Sequence, residues 1–164
     1  MAQLTLFGKM HPHIYIIDSS SIFSQKPNDA HRRNVYPSLW EKIDTYIIEQ
    51  KIVICSEIKE ELSDKDIVEY ITELNCIVLE VDDEIQENVI RIVTEYPKLI
   101  TFDNGKSAGS SGDAFLIATA MKYGLAVITE EKKGPQNRIP YICKALGISC
   151  MNIDELCIAE GWKF

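Results

Sequence analysis

Five short runs rich in apolar residues, Ile14–Ile17, Ile52–Ile54, Ile77–Leu79, Leu125–Ile128 and Ile148–Met151, are separated by stretches in which apolar residues recur at helical spacing. Runs this short, without polar alternation, read as strands buried on both faces. Parallel neighbours need crossover connections, and the helical stretches between the runs supply them. The alternation therefore predicts an α/β fold: a three-layer α/β/α sandwich around a mainly parallel central sheet of about five strands. One domain over residues 1–164 is expected, with 1–12 as an N-terminal extension, and 46% hydrophobic residues are enough to give it a sizeable core.

Local signals mark the helices. Pro37 stands at a first helical position, followed by Leu39, Trp40, Ile43, Ile47 and Ile48 on one face. Ser56 is expected to cap a helix running through Leu62, and a further helix from about Asp64 carries Ile67, Val68, Ile71 and Leu74. Asp82 caps the next, whose buried stripe is Ile85, Val89, Ile92 and Val93 before Pro97 ends it. Thr101–Gly112 is rich in glycine and serine and reads as a loop, with a helix from about Asp113 to Tyr123 stopped by Gly124. Pro140 opens a short helix closed by Gly147, and Asn152 with Glu155 resembles a capping box.

Charge and cysteine content narrow the surroundings. Twenty-five acidic against 17 basic residues give −8, which by generic electrostatics disfavours a nucleic-acid ligand. Acidic groups gathered in one place, however, can hold a cation that reverses the local sign. No apolar run approaches the roughly 18 residues of a membrane helix. The N-terminus lacks the marks of a secretion signal, so no membrane partner and a cytoplasmic location are expected. Cys55, Cys76, Cys143, Cys150 and Cys157 form an odd set without a CxxC pair and are expected to be reduced and structural.

Sheets of this kind place their sites beyond the carboxyl ends of the strands. Asp18 follows the first strand, Glu61 or Glu57 lies in the helix after the second, and Glu130–Glu131 follow the fourth. Asp113 starts the helix that leads back into the fourth strand, so it falls at the same edge. Each has a plainer reading: turn former for Asp18, helix cap for Asp113, solvated helix face for Glu57, Glu60 and Glu61, solvated loop for Glu130–Glu131. Together, hard oxygen ligands at one edge select Mg²⁺ or Mn²⁺. Arg32, Arg33, Lys106, Lys132, Lys133 and Arg138 lie in predicted loops, several near this edge, where they could guide a nucleic-acid strand. Tyr36 is a candidate stacking residue, Trp40 a core residue, and His11 and His13 a surface approach to the first strand.

These motifs resemble the PIN domains, a family of metal-dependent ribonucleases found as bacterial toxins and in RNA processing. Ile14–Ser20 (IYIIDSS) is similar to the family's strand ending in an aspartate with a hydroxyl or amide residue two positions on. Ile58–Leu62 (IKEEL) looks like its second-acid motif and places that acid on Glu61. Gly112–Ala120 (GDAFLIATA) and Gly124–Glu131 (GLAVITEE) match an Asp-Ala…Ala-x-Ala helix and an apolar strand closed by Thr-x-acid. The tail, with Ile139–Cys143 and Gly147–Ile148, looks like a bacterial PIN-like branch known only as a domain of unknown function.

The resemblance implies a metal-dependent endoribonuclease that hydrolyses phosphodiester bonds of single-stranded RNA, as the toxin of a toxin–antitoxin pair. Asp18, Glu61, Asp113 and Glu131 would be its catalytic and metal-site acids, holding Mg²⁺ or Mn²⁺, with Ser20, Thr129, Glu130 and Glu57 in support. The partners it implies are RNA substrate, an antitoxin protein and a second copy in a homodimer. The fourth acid departs from the family's usual aspartate. The alternative is a non-catalytic PIN-like module that binds nucleic acid or protein. A phosphatase of the haloacid-dehalogenase kind would want an aspartate where Ser20 stands, and a receiver domain would want an acidic pair that is missing.

Overall fold

The computed structural model describes residues 11–100, 102–103, 106–107 and 111–164. Positions 1–10 of the expected N-terminal extension, and part of the segment 101–112, lie outside the described residues. The strands are β1 (Tyr15–Ile17), β2 (Ile52–Cys55), β3 (Val78–Leu79), β4 (Phe102–Asp103), β5 (Lys106–Ser107), β6 (Ala126–Ile128) and β7 (Cys150–Met151). The helices are α1 (Ser19–Phe23), α2 (Pro37–Ile48), α3 (Ser56–Glu61), α4 (Lys65–Glu73), α5 (Asp83–Glu95), α6 (Ser111–Tyr123), α7 (Ile139–Leu146) and α8 (Ile153–Glu160).

The main sheet has the order β3-β2-β1-β6-β7, and every pairing in it is parallel. β1 is its centre, with Ile16 opposite both Val53 and Val127. Strand side chains alternate between two cores. Ile16, Val53, Cys55 and Val127 pack with α3, α5, α6 and α7 on one face. Tyr15, Ile17, Ile52, Ile54 and Ile128 pack with α1, α2, α4 and α8 on the other. This is the expected three-layer α/β/α sandwich. No helix among the described residues is long and apolar enough to cross a membrane.

Asp64 and Asp82 cap α4 and α5 through the N–H groups of Ile67 and Ile85, and Asn152 and Glu155 form the expected box on α8. Four local expectations need correction. Ser56 is the first residue of α3 and not its cap, because the extended backbone of Cys55 turns straight from strand to helix without a side-chain cap. Ile48 and Val68 are exposed at the rims of their helical stripes. The 101–112 segment is not wholly loop, since β4 and β5 pair antiparallel within it. Finally, α6 begins at Ser111, two residues before Asp113.

The last helix is tied to both the sheet and α2. Tyr15 and Tyr46 each donate a hydroxyl hydrogen bond to Glu160 at the end of α8. Burial and the adjacent carboxylate raise both phenols above their ordinary range, Tyr46 to about 12. Glu160→Ala leaves the hydroxyl of the buried Tyr15 without its acceptor and should cost about 2 kcal/mol. Glu160→Gln keeps an acceptor and should cost less. Urea unfolding of both variants checks the order, and equal losses would refute the account.

Candidate functional site

The register that sets Ile17 beside Ile128 carries one residue further, so that Asp18 and Thr129 meet just beyond the carboxyl ends of β1 and β6. Asp18 has an extended backbone, and its carbonyl accepts from the N–H groups of Ser21 and Ile22 as α1 starts. Its carboxylate does not cap that helix, which leaves it for the site. The residue is 3% exposed, and Oδ2 accepts from Ser20 Oγ at 2.8 Å and from Thr129 Oγ1 at 2.9 Å. Each hydroxyl in turn accepts a backbone N–H: Glu130 N to Ser20 Oγ at 3.0 Å, and Glu131 N to Thr129 Oγ1 at 3.2 Å. Two successive amides thus polarise two hydroxyls toward one oxygen, a chain in which each bond strengthens the next.

Asp113 is also buried, in the first turn of the 13-residue α6, where the helix dipole favours a negative charge. Glu61 reaches the same helix start from the last residue of α3, and its Oε1 accepts the Gly112 N–H at 3.0 Å. Glycine leaves room for that approach: a Cβ at position 112 would lie 2.6 Å from Glu61 Oε2 and push the carboxylate aside. Glu57 lies one turn back on α3, its carboxyl raised by burial and by the charges of Glu60, Glu61 and Glu80.

The two acids after β6 are built into the fold. Glu131 Oε2 accepts the Ile139 N–H at 3.0 Å, at the start of α7, and Oε1 stands 3.6 Å from Arg138 Nη1. Glu130 Oε1 accepts the Ile153 N–H at 3.0 Å, at the start of α8. Burial, joined by the charge of Asp18, raises the Glu131 carboxyl above the ordinary carboxylate range, although Ile139 and Arg138 oppose the shift. A folded acid that keeps its proton to higher pH than the unfolded one makes ionisation a cost to stability. That cost is absent below the ordinary value and complete above the raised one. Glu131→Gln, which preserves an acceptor for Ile139, should therefore flatten the fall in stability as pH rises through this window. Urea unfolding between pH 4 and 8 checks it, and an unchanged slope would count against the assignment.

The donor set is of the right chemistry for a hard divalent cation: Asp18 and Asp113 are short, buried carboxylates, and Glu61 and Glu131 are longer ones held on the Gly112 and Ile139 N–H groups. Their spacing is looser than the sequence implied. Among the described residues no three histidine, cysteine, aspartate or glutamate side chains stand together closely enough to hold a metal ion. The loop cations are also less available than expected. Arg33 is bound to Asp44 and Gln25, Lys133 to Glu155 and Arg138 to Glu131, while Arg32 and Lys132 are exposed. The side chain of Lys106 lies outside the described residues. Trp40 is buried in the core and Tyr36 is exposed. His11 and His13 stack on each other at the amino end of β1, with His13 Nδ1 2.6 Å from the Gln50 carbonyl, away from Asp18. All five cysteines are free, and burial raises the Cys55 and Cys76 thiols to about 12.

Sequence reasoning missed Gly112 and His31. His31 Nε2 lies 2.9 Å from Asp154 Oδ1, and its Nδ1 is 3.8 Å from Glu130 Oε1. No spacing in the chain joins His31 to acids so distant. For Gly112, its place next to Asp113 was the available signal.

Fold and site together define a parallel α/β/α protein with a buried, hydroxyl-braced aspartate at the carboxyl edge of its central strand. The chain belongs to the family described as Domain of unknown function (DUF4411), whose model matches residues 15–164. No curated protein matches it. Among solved structures, PAE2754 from Pyrobaculum aerophilum is similar in fold, with a TM-score of 0.52 at 14% identity over 99% of each chain.

Proposed function

We propose that this chain is a Mg²⁺- or Mn²⁺-dependent endoribonuclease acting on single-stranded RNA, the activity of the PIN domains that its motifs resemble. The observation that carries the reading is the buried Asp18 carboxylate, fixed on one oxygen by Ser20 and Thr129. A carboxylate desolvated among the cores, as Asp18 is, gains most from a cation, and Asp113 is a second buried carboxylate at the start of α6. Asp18 and Asp113 would hold the metal directly, with Glu61 and Glu131 contributing from longer side chains. Such an ion lowers the pKa of bound water and neutralises phosphate oxygens. The chain's own part is orientation: Ser20 and Thr129 set the plane of the Asp18 carboxylate, and the Gly112 N–H holds Glu61 at the start of α6. The toxin role, with an antitoxin partner, belongs to the same proposal, and a small DNA-binding gene alongside would support it.

A second reading, a non-catalytic binding module, draws on the looser acid spacing and on the use of Glu130 and Glu131 in the fold. Titration with Mg²⁺ and Mn²⁺, followed by an RNA cleavage assay, separates the two. Glu61→Gln should weaken metal binding more than Glu57→Gln, because Glu61 reaches the start of α6. Cleavage that ignores added metal would remove the nuclease proposal, and the reverse order of the two variants would remove Glu61 from the site.

A further inference from the structure

A cavity of about 680 Å³ opens beside the carboxyl edge, between α2, α8 and the chain around His31. Its apolar lining is left uncovered: Tyr36 is 46% exposed, Phe164 69% and Ile158 81%. Its polar wall includes His31, Glu130 and Asp154, with Ser38 at the α2 side. We infer that this cavity takes a nucleobase with a hydrogen-bond donor edge, guanine above all, from the strand whose phosphate meets Asp18. The inference rests on the nuclease reading and extends it to the base.

Three observations carry it. First, the cavity adjoins the acid site through Glu130: its N–H is bonded to Ser20 Oγ, which donates to Asp18, while its side chain lines the cavity. Second, the polar wall has the wrong sign for phosphate and the right one for N–H donors. Glu130 uses Oε1 on the Ile153 N–H, and Asp154 uses Oδ1 on His31 Nε2. The second oxygen of each remains an acceptor, and guanine presents two adjacent N–H donors on its Watson–Crick edge, where uracil presents one. Third, an exposed Tyr36 and Phe164 suit the flat face of a base, which stacks on aromatic side chains whatever its sequence. The site itself supplies the preference among bases, through the acids.

Free nucleosides test this without phosphate, metal or cleavage. The Trp40 indole N–H donates to the His31 carbonyl, so its NMR resonance reports on the cavity wall. In EDTA, guanosine should shift it and bind about tenfold more tightly than uridine, and Tyr36→Ala should weaken guanosine about tenfold. Asp154→Asn, on an exposed side chain, should reduce the guanosine-to-uridine ratio. Equal binding of the two nucleosides, or binding of neither, overturns the inference. So does self-association that Phe164→Ser abolishes with no nucleoside bound, which would make the patch a protein interface. Guanosine binding without RNA cleavage keeps the base pocket and removes the nuclease. Cleavage without base preference, and no nucleoside binding, does the reverse.

Discussion

Asp18→Asn and Asp113→Asn should each reduce metal-dependent cleavage of single-stranded RNA by more than about a hundredfold, beyond the upper end of what the outer partners of a metal site cost. Asparagine keeps the shape of aspartate and an oxygen for the Ser20 and Thr129 hydroxyls, so the loss would come from charge and not from collapse of the edge. In EDTA the melting temperature of Asp113→Asn should stay level or rise. Relief of repulsion among the carboxylates of the edge offsets the lost interaction of the Asp113 charge with the α6 dipole. Added Mg²⁺ should then raise the melting temperature of the natural protein more than that of either variant. Wild-type cleavage together with an undiminished metal response in Asp113→Asn would end the shared-metal account.

Trp40→Ala should lower stability by about 3–5 kcal/mol. Trp40 is fully buried between α2 and the sheet in the second core, its Nε1 donates to the His31 carbonyl, and Arg33 lies 5.4 Å from the ring centre. Truncation empties the largest fully buried side chain and strands that carbonyl. Trp40→Phe keeps the ring plane and loses the donor, so a smaller loss is expected. Denaturant unfolding of both measures the division between packing and hydrogen bond. A loss below about 1 kcal/mol for the alanine would mean that α2 closes over the space.

What the sequence made legible was local or periodic. Asp82 and Asn152 cap their helices because their partners lie three residues on, within reach of a pattern. The place of Asp18 followed from a strand ending at a polar residue, and the central position of β1 agrees with it. Ser56 was misread because its residue type favours capping while the preceding strand had already set the turn. Glu130 and Glu131 looked like loop acids, and only the return of α7 and α8 to the edge gives each an N–H to accept. Arg33 looked like a free loop cation because Asp44 lies 11 residues on, well inside a helix whose orientation no local signal fixes.

The central strand is completed late. Thr129 lies 111 residues after Asp18, yet it supplies one of the two hydroxyls that hold the carboxylate, and β6 is the neighbour that encloses it. At ribosomal speeds of about 5–20 residues per second, the interval is on the order of ten seconds. During that time the growing chain carries Asp18 on a strand with one bare edge, able to pair with β2 alone. The protein is therefore made with one side of β1 unpaired and closes it once β6 has been translated. Any nascent-chain partner that covers β1 would be displaced by β6, a segment of the same molecule that has not yet been translated when the partner arrives.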